Sequence, residues 1–317
     1  MACAREHGRL IALRSASALA FSLGMVLLCG GVMTVAAQTV DANPGRPTVS
    51  NPATLVPVGY LQFEQGYLGS LTSPETAAQY GANQVTKLAV VSRVLVQVQT
   101  QPFAFSREVG ATGSSAASGD VLLGAQGVLW GPVLPASGDS SGSESASQHK
   151  FSRPTFSLGY LGRVHAGSTP DIDQGGYAQS ALLLVSGDVG GFHYDTNYLL
   201  NEQTADEPSN GSMGIRTVRR AQFAQTLSVN HGLGTPRLQL AAEIYHFTQP
   251  LVGTDDRGRS VARANLVDGL MALSYTLRGN LVLDGGFSHG FTSTSTRWQS
   301  FAGFTYLLPK RLWRGGD

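Results

Sequence analysis

The sequence predicts an all-β fold: an antiparallel up-and-down transmembrane β-barrel of about twelve strands. Three observations predict it. Past residue 37, segments of roughly ten residues alternate apolar with polar side chains, the period-2 pattern of a strand with two different faces. The connections between these segments alternate between short and long, as they do in outer-membrane barrels. The composition is also unusual for a soluble domain. Only 14% of the 317 residues are charged and 39 are Gly, against a charged share of about a quarter in ordinary domains.

Taken in order, the first element is a leader. Arg5, Arg9 and Arg14 precede an apolar stretch that includes Phe21 to Leu28, and Val35-Ala36-Ala37 supplies small residues for a signal peptidase. Residues 1–37 are therefore expected to be a cleaved signal peptide. Both cysteines, Cys3 and Cys29, lie in it, so the exported chain has no thiol for a disulfide framework or a metal. Leu28 stands before Cys29, where a lipoprotein carries a small residue. The full chain has a formal charge of +1, and loss of three Arg and one Glu with the leader brings it to −1. No basic excess exists to displace counterions from nucleic acid.

Residues 38–57 are rich in Pro, Asn and Thr and read as a periplasmic N-terminal tail. Strands are then expected near 58–68, 84–91, 93–103, 119–130, 155–166, 177–187, 191–200, 221–231, 237–248, 267–277, 281–288 and 297–308. In the third, Val94, Val96 and Val98 share one face; Arg93, Gln97, Gln99 and Gln101 share the other, with Leu95 the exception. In the seventh, Phe192, Tyr194 and Tyr198 alternate with His193, Asp195 and Asn197. About ten residues suffice for a tilted strand to cross a bilayer. Residues 309–317 form a C-terminal extension past the last strand, Phe301 to Leu308.

With both ends periplasmic, the even connections should be short. They fall near Ser92, at Asp188-Val189-Gly190-Gly191, at Gly232 to Pro236 and at Arg278-Gly279-Asn280. The odd ones, 69–83, 104–118, 167–176, 201–220, 249–266 and 289–296, are longer. Residues 131–154 break the rule: they contain the run Ser137 to Ser145, a solvated Ser/Gly tract, where a short turn belongs.

In such a barrel the apolar face meets lipid and the polar face lines the lumen, because a charge facing lipid at mid-depth costs about 2–4 kcal/mol. The expected lumen-lining residues are Gln62, Glu64, Arg93, Gln97, His193, Asp195, Asn197, Glu243 and Asp284, accompanied by Lys87, Gln99, Arg163, His165 and Gln239. Opposite charges there can pair and fill the interior, or leave a polar path. Aromatic residues toward strand ends (Tyr60, Tyr67, Trp130, Tyr160, Tyr245, Trp298, Tyr306) suit interfacial girdles and equally a sandwich core.

Several patterns imitate chemistry. Gly138-Asp139-Ser140-Ser141-Gly142 spells G-x-S-x-G without the strand and helix that a nucleophile elbow needs. Asp171 and Asp173 open a calcium-loop spacing, but no Glu closes a twelve-residue loop. A lipid hydrolase would need a Ser–His pair, and the nearest, Ser288-His289 with Ser274 nearby, puts adjacent residues on opposite faces of a strand. The remaining His residues are scattered without metal-ligand spacing. No catalytic residue, metal or cofactor is expected.

Asn43 to Pro47 and Val58 to Tyr67 resemble the opening of the outer-membrane transporter-like proteins grouped as the "MetA-pathway of phenol degradation" family. The same holds, in order, for Gly119 to Ala125, Asp188 to Asp195, Asn280 to Gly286 and Phe301 to Tyr306. The resemblance implies an outer-membrane barrel that transports small compounds, hydrophobic or aromatic ones being the class to test. It brings no catalytic motif. The implied partners are the lipid bilayer, the barrel-assembly machinery and a small-molecule solute. The alternatives are a structural or loop-binding barrel with a filled lumen, a soluble ligand-binding sandwich and a membrane-embedded lipid hydrolase.

Overall fold

The computed structural model describes residues 40–71, 76–108, 113–134, 153–165, 177–208, 214–254 and 260–313. The expected leader with its two cysteines, the Ser/Gly tract and the Asp171–Gly175 pattern lie outside the described residues.

The described chain contains fifteen strands. They are β1 (Leu61–Leu71), β2 (Thr76–Val91), β3 (Val94–Glu108), β4 (Ser115–Ala117), β5 (Val121–Trp130), β6 (Thr155–His165), β7 (Tyr177–Val189), β8 (Phe192–Pro208), β9 (Ile215–Gly232), β10 (Leu238–Phe247), β11 (Leu251–Thr254), β12 (Ser260–Ala262), β13 (Leu266–Arg278), β14 (Leu281–Gly290) and β15 (Trp298–Leu307). Twelve of them close a ring: β1 pairs with both β2 and β15, and β2 pairs with β3. All the ring's pairings are antiparallel, and Gly66 faces Asn83 on one side and Gly303 on the other. The short β4 lies on the end of β3, and β11–β12 form a separate hairpin. The expected twelve-stranded barrel is the fold, and closure gives each of the twelve ring strands, among the described residues, a neighbour on both sides.

The two faces differ as the alternation requires. Val94, Val96, Val98, Leu123, Leu158, Leu200, Leu227, Ile244, Met271 and Leu283 are exposed on the outside. Gln62, Glu64, Asp195, Asn197, Asn201, Gln222 and Ser228 are buried inside. A soluble sandwich inverts this arrangement; apolar-out and polar-in is the sidedness of a strand between lipid and a lumen.

One rim holds the start of β1, the end of β15 and the tight connections; we call it the near rim. Gly190 and Gly191 both have positive φ (58° and 84°), the requirement of the two-residue turn between twisted strands. Ser92 and Arg93 make another such connection, Gly279 and Asn280 a third. Residues 131–154 remain the exception. Three expected far-rim loops, 69–83, 104–118 and 201–220, are corrected by the structure: pairing continues to Leu71↔Ala78, Thr76↔Glu108 and Pro208↔Ile215. The physical reason is that a hairpin can keep its ladder in water, where its side chains turn polar and lose the apolar alternation. Protrusion of hairpins, more than loop length, is what alternates between the rims.

Residues 308–313 fold back over the near rim. Leu308 N–H donates to Leu61 O (2.8 Å), Leu312 N–H to Gly59 O (2.7 Å) and Trp313 Nε1 to Val90 O (3.3 Å).

Candidate functional site

The lumen is the candidate site, and a segment of the chain itself runs through it. Residues 42–56, expected as a periplasmic tail, lie along the inner wall of the barrel. Every backbone group in such a place needs a partner, and the inward side chains supply them. Ala42 N–H donates to Gly279 O at the near rim (2.8 Å). Asn43 N–H donates to Gln62 Oε1 (2.9 Å), and Gln62 Nε2 donates back to the Asn43 carbonyl (2.6 Å). Gly45 N–H donates to Glu64 (3.0 Å), which also holds Lys87 Nζ at 2.6 Å.

Arg46 then crosses β15 to reach β14. Its Nε and Nη2 meet the two carboxylate oxygens of Asp284 at 3.2 and 3.0 Å. Gly66 and Gly303, paired neighbours on β1 and β15, make room for it: a Cβ on either would overlap the guanidinium. Val49 and Ser50 donate their N–H groups to the two oxygens of Glu243 (2.7 Å each), and Ser50 Oγ also contacts Thr226 Oγ1 (2.6 Å). Asn51 exchanges two bonds with the Asn197 amide, at 2.6 and 2.9 Å. Ala53 N–H donates to Ser186 Oγ (2.7 Å), which donates on to Asp195. Gln126 donates to the carbonyls of Pro52 and Ala53 (3.1 and 3.0 Å). Leu55 N–H reaches Val133 O (2.7 Å), back at the near rim.

The partners thus come from β1, β14, β10, β9, β8, β7 and β5 in turn, which is their order around the barrel. The segment is a girdle on the lumen wall with both ends at one rim. Its first part is held mainly by polar groups, with Val49 packed against the cluster of Tyr245, Phe247 and Leu270. Its last part is held by apolar packing: Leu55 and Val56 against Ala89, Leu95 and Val128, and Ala53 against Leu161, Leu182 and Leu184.

Beyond the girdle, toward the far rim, lies a cavity of about 310 Å³. Gly45 to Asn51 contribute its floor. One wall is apolar, with Tyr245, Leu270 and Phe301; another is amide-rich, with Asn83, Gln99 and Gln101. Its ionic groups are paired: Arg46 with Asp284, Glu64 with Lys87 and Asp120 with Arg163 (3.1 Å).

Of the expected lumen residues, Gln62, Glu64, Asn197, Glu243 and Asp284 are brought together by the girdle, and Asp195 joins it through Ser186. Gln97 sits half-buried on the wall between Lys87 and Gly124. His193 lies near the rim between Asp188 (2.8 Å) and Asp195 (3.4 Å). Arg93 is a correction: it is exposed in the tight turn before β3, with Nη1 on Val128 O at 3.4 Å. Chain reversal falls at Ser92-Arg93 because the inward face of β3 begins with Leu95. His165 and Gln239 are likewise exposed at the ends of their strands. Arg46, Ser50, Gln126, Ser157 (its Oγ donating to the Ala53 carbonyl, 2.5 Å), Ser186 and Thr226 carry much of the site and were not singled out from the sequence. Polar residues at inward parity were the available signal for the last four. Ser288 and His289 face opposite ways: Ser288 Oγ donates inward to Gln299 (3.2 Å), while the His289 ring packs beside Trp298.

Comparison with known proteins follows the same lines. The COG4313 outer membrane channel from Pseudomonas putida F1 is similar in fold, with a TM-score of 0.56 at 12% identity, over 84% of this chain and all (100%) of that one. The NanC porin (TM-score 0.44, 7% identity, 78% and 98% covered) and the TodX deltaS2S3 mutant monoaromatic hydrocarbon channel (0.39, 12%, 83% and 94%) are more distant. At 12% identity the likeness to the first is one of fold. No protein of curated function matches the sequence. Residues 44–308, which take in nearly all of the girdle and every strand of the barrel, match the family described as "Putative MetA-pathway of phenol degradation", and the chain belongs to that family.

Proposed function

We propose that the protein is an outer-membrane channel for small neutral solutes, hydrophobic and aromatic compounds included. The observation that carries this reading is the cavity over the girdle: an apolar wall of Tyr245, Leu270 and Phe301 opposite the amides of Asn83, Gln99 and Gln101, with its charges already paired. Such a lining offers ring contacts and neutral hydrogen bonds and leaves no uncompensated charge to attract an ion. Export by a cleaved leader, insertion by the barrel-assembly machinery and residence in the outer membrane belong to the same proposal, supported by the apolar outer belt.

The second reading is a barrel that carries nothing, its interior filled and its far-rim hairpins making the contacts. The girdle on the lumen wall favours it, since twelve strands enclose little more than side chains can fill. Liposome swelling separates the two. Proteoliposomes containing the channel swell in an isotonic monosaccharide and not in a trisaccharide. Absence of swelling in every neutral solute selects the filled barrel.

A further inference from the structure

We infer that the first part of the girdle, residues 42–51, is a retractable arm that closes the lumen when docked and opens it when withdrawn. The inference rests on the channel reading above. Three features lead to it. The barrel closes without the arm, because β1 pairs directly with β15 and every neighbouring pair of the ring is hydrogen-bonded strand to strand. The arm is held mainly by polar contacts that water can replace, with Val49 packed against the Tyr245, Phe247 and Leu270 cluster, whereas Ala53, Leu55 and Val56 are fully buried in apolar clusters; the first can leave while the second stays. Both ends of the girdle meet the near rim, at Gly279 and at Val133, so withdrawal requires no threading and breaks no strand.

The docking points are specific. Arg46 is the latch, in a slot made by Gly66, Gly303 and Asp284. Glu243 is the second catch, taking two successive backbone N–H groups and the Ser50 hydroxyl. Asn197 and Gln62 hold the arm by its backbone, a mode of holding that tolerates release and return. Withdrawal would join the cavity above the arm to the near rim, since Gly45 to Asn51 are its floor. A two-state element of this kind is what gating requires.

Ser50 is fully buried in the docked arm and its hydroxyl touches that of Thr226, so it serves two readouts in the full exported chain. In Ser50→Cys, labelling by a membrane-impermeant maleimide reports withdrawal without reference to transport. We expect slow labelling, accelerated at least about tenfold by Asp284→Asn, since one tenfold step corresponds to the loss of about one net charge-assisted hydrogen bond. Equal rates with and without Asp284→Asn, in protein that keeps its folded mobility on a detergent gel, would overturn the arm. In Ser50→Cys/Thr226→Cys, oxidation to the disulfide should abolish single-channel current and reduction should restore it. Current that survives the disulfide also overturns the proposal. If labelling accelerates as expected but no variant, reduced or unlatched, conducts, the arm moves and the channel reading is what fails.

Discussion

Arg46 and Asp284 stand 238 positions apart in sequence and meet through two hydrogen bonds, 3.2 and 3.0 Å, on the inner wall of the barrel. The Asp284 side chain is almost wholly buried and that of Arg46 mostly so. Removing one partner of such a pair leaves a charge buried alone, at a cost of about 3 kcal/mol. Asp284→Ala should lower unfolding stability in detergent by that amount. Adding Arg46→Met should recover part of it, because the orphaned charge is then gone. Additive losses in the double variant would contradict a direct pair.

The glycines around Arg46 should behave differently from one another. The three atoms nearest a Cβ on Gly66 all belong to the Arg46 guanidinium, whereas the atom nearest one on Gly303 is the Gln65 carbonyl oxygen. A flexible side chain can move aside and backbone cannot. Gly66→Ala should therefore reproduce the loss seen in Arg46→Ala and add nothing to it. Gly303→Ala should cost more, about 1–3 kcal/mol for overpacking beyond the lost latch. Chemical unfolding of the single and double variants checks both orders.

Leu95 is the inward residue of β3 that covers the fixed end of the girdle, packing with Leu55, Val56, Ala89 and Val128. Leu95→Ala should destabilise by about 2–3 kcal/mol, the usual cost of a buried Leu truncation. Val96→Ala, one residue on and exposed to lipid, should cost well under that. The same pair tests the sidedness of the strand, because a flipped register would exchange the two values.

The outer face should reject charge. Leu227 lies outward near the middle of the β9–β10 ladder, paired with Ile244 on β10 and with Thr196 on β8. Leu227→Arg in lipid vesicles should lose about 2–4 kcal/mol, the cost of an Arg at mid-bilayer on a barrel's lipid face. Gln97→Arg, on the lumen wall, should lose far less. Equal penalties would place both residues in the same environment.

Much of this fold was legible. Val94, Val96 and Val98 against Gln97 and Gln99 announce a two-faced strand, and Gly190-Gly191 announces the turn between β7 and β8. The far-rim extensions were not legible, since Gln203, Glu207 and Arg216 continue the ladder with polar side chains that also suit a loop. The girdle escaped for another reason. An extended Pro- and Asn-rich segment has no period of its own, and its partners, from Gln62 to Asp284, are up to 238 residues away. One trace was present: Leu95 interrupts the polar face of β3. An apolar residue on the lumen side of a strand needs something apolar to cover it, and Leu55 and Val56 are that cover. Parity marks the lumen candidates, and Gln62, Asn197 and Glu243 lie buried against the girdle. Parity says nothing about where a strand begins, and Arg93 is exposed in a turn.

A gated path for small solutes can be seen most directly in planar-bilayer recording of the purified full exported chain beside its Arg46→Ala variant. Brief, infrequent openings are expected for the first and markedly longer open time for the second at the same unitary conductance. Silence from both proteins, inserted and folded, would contradict it.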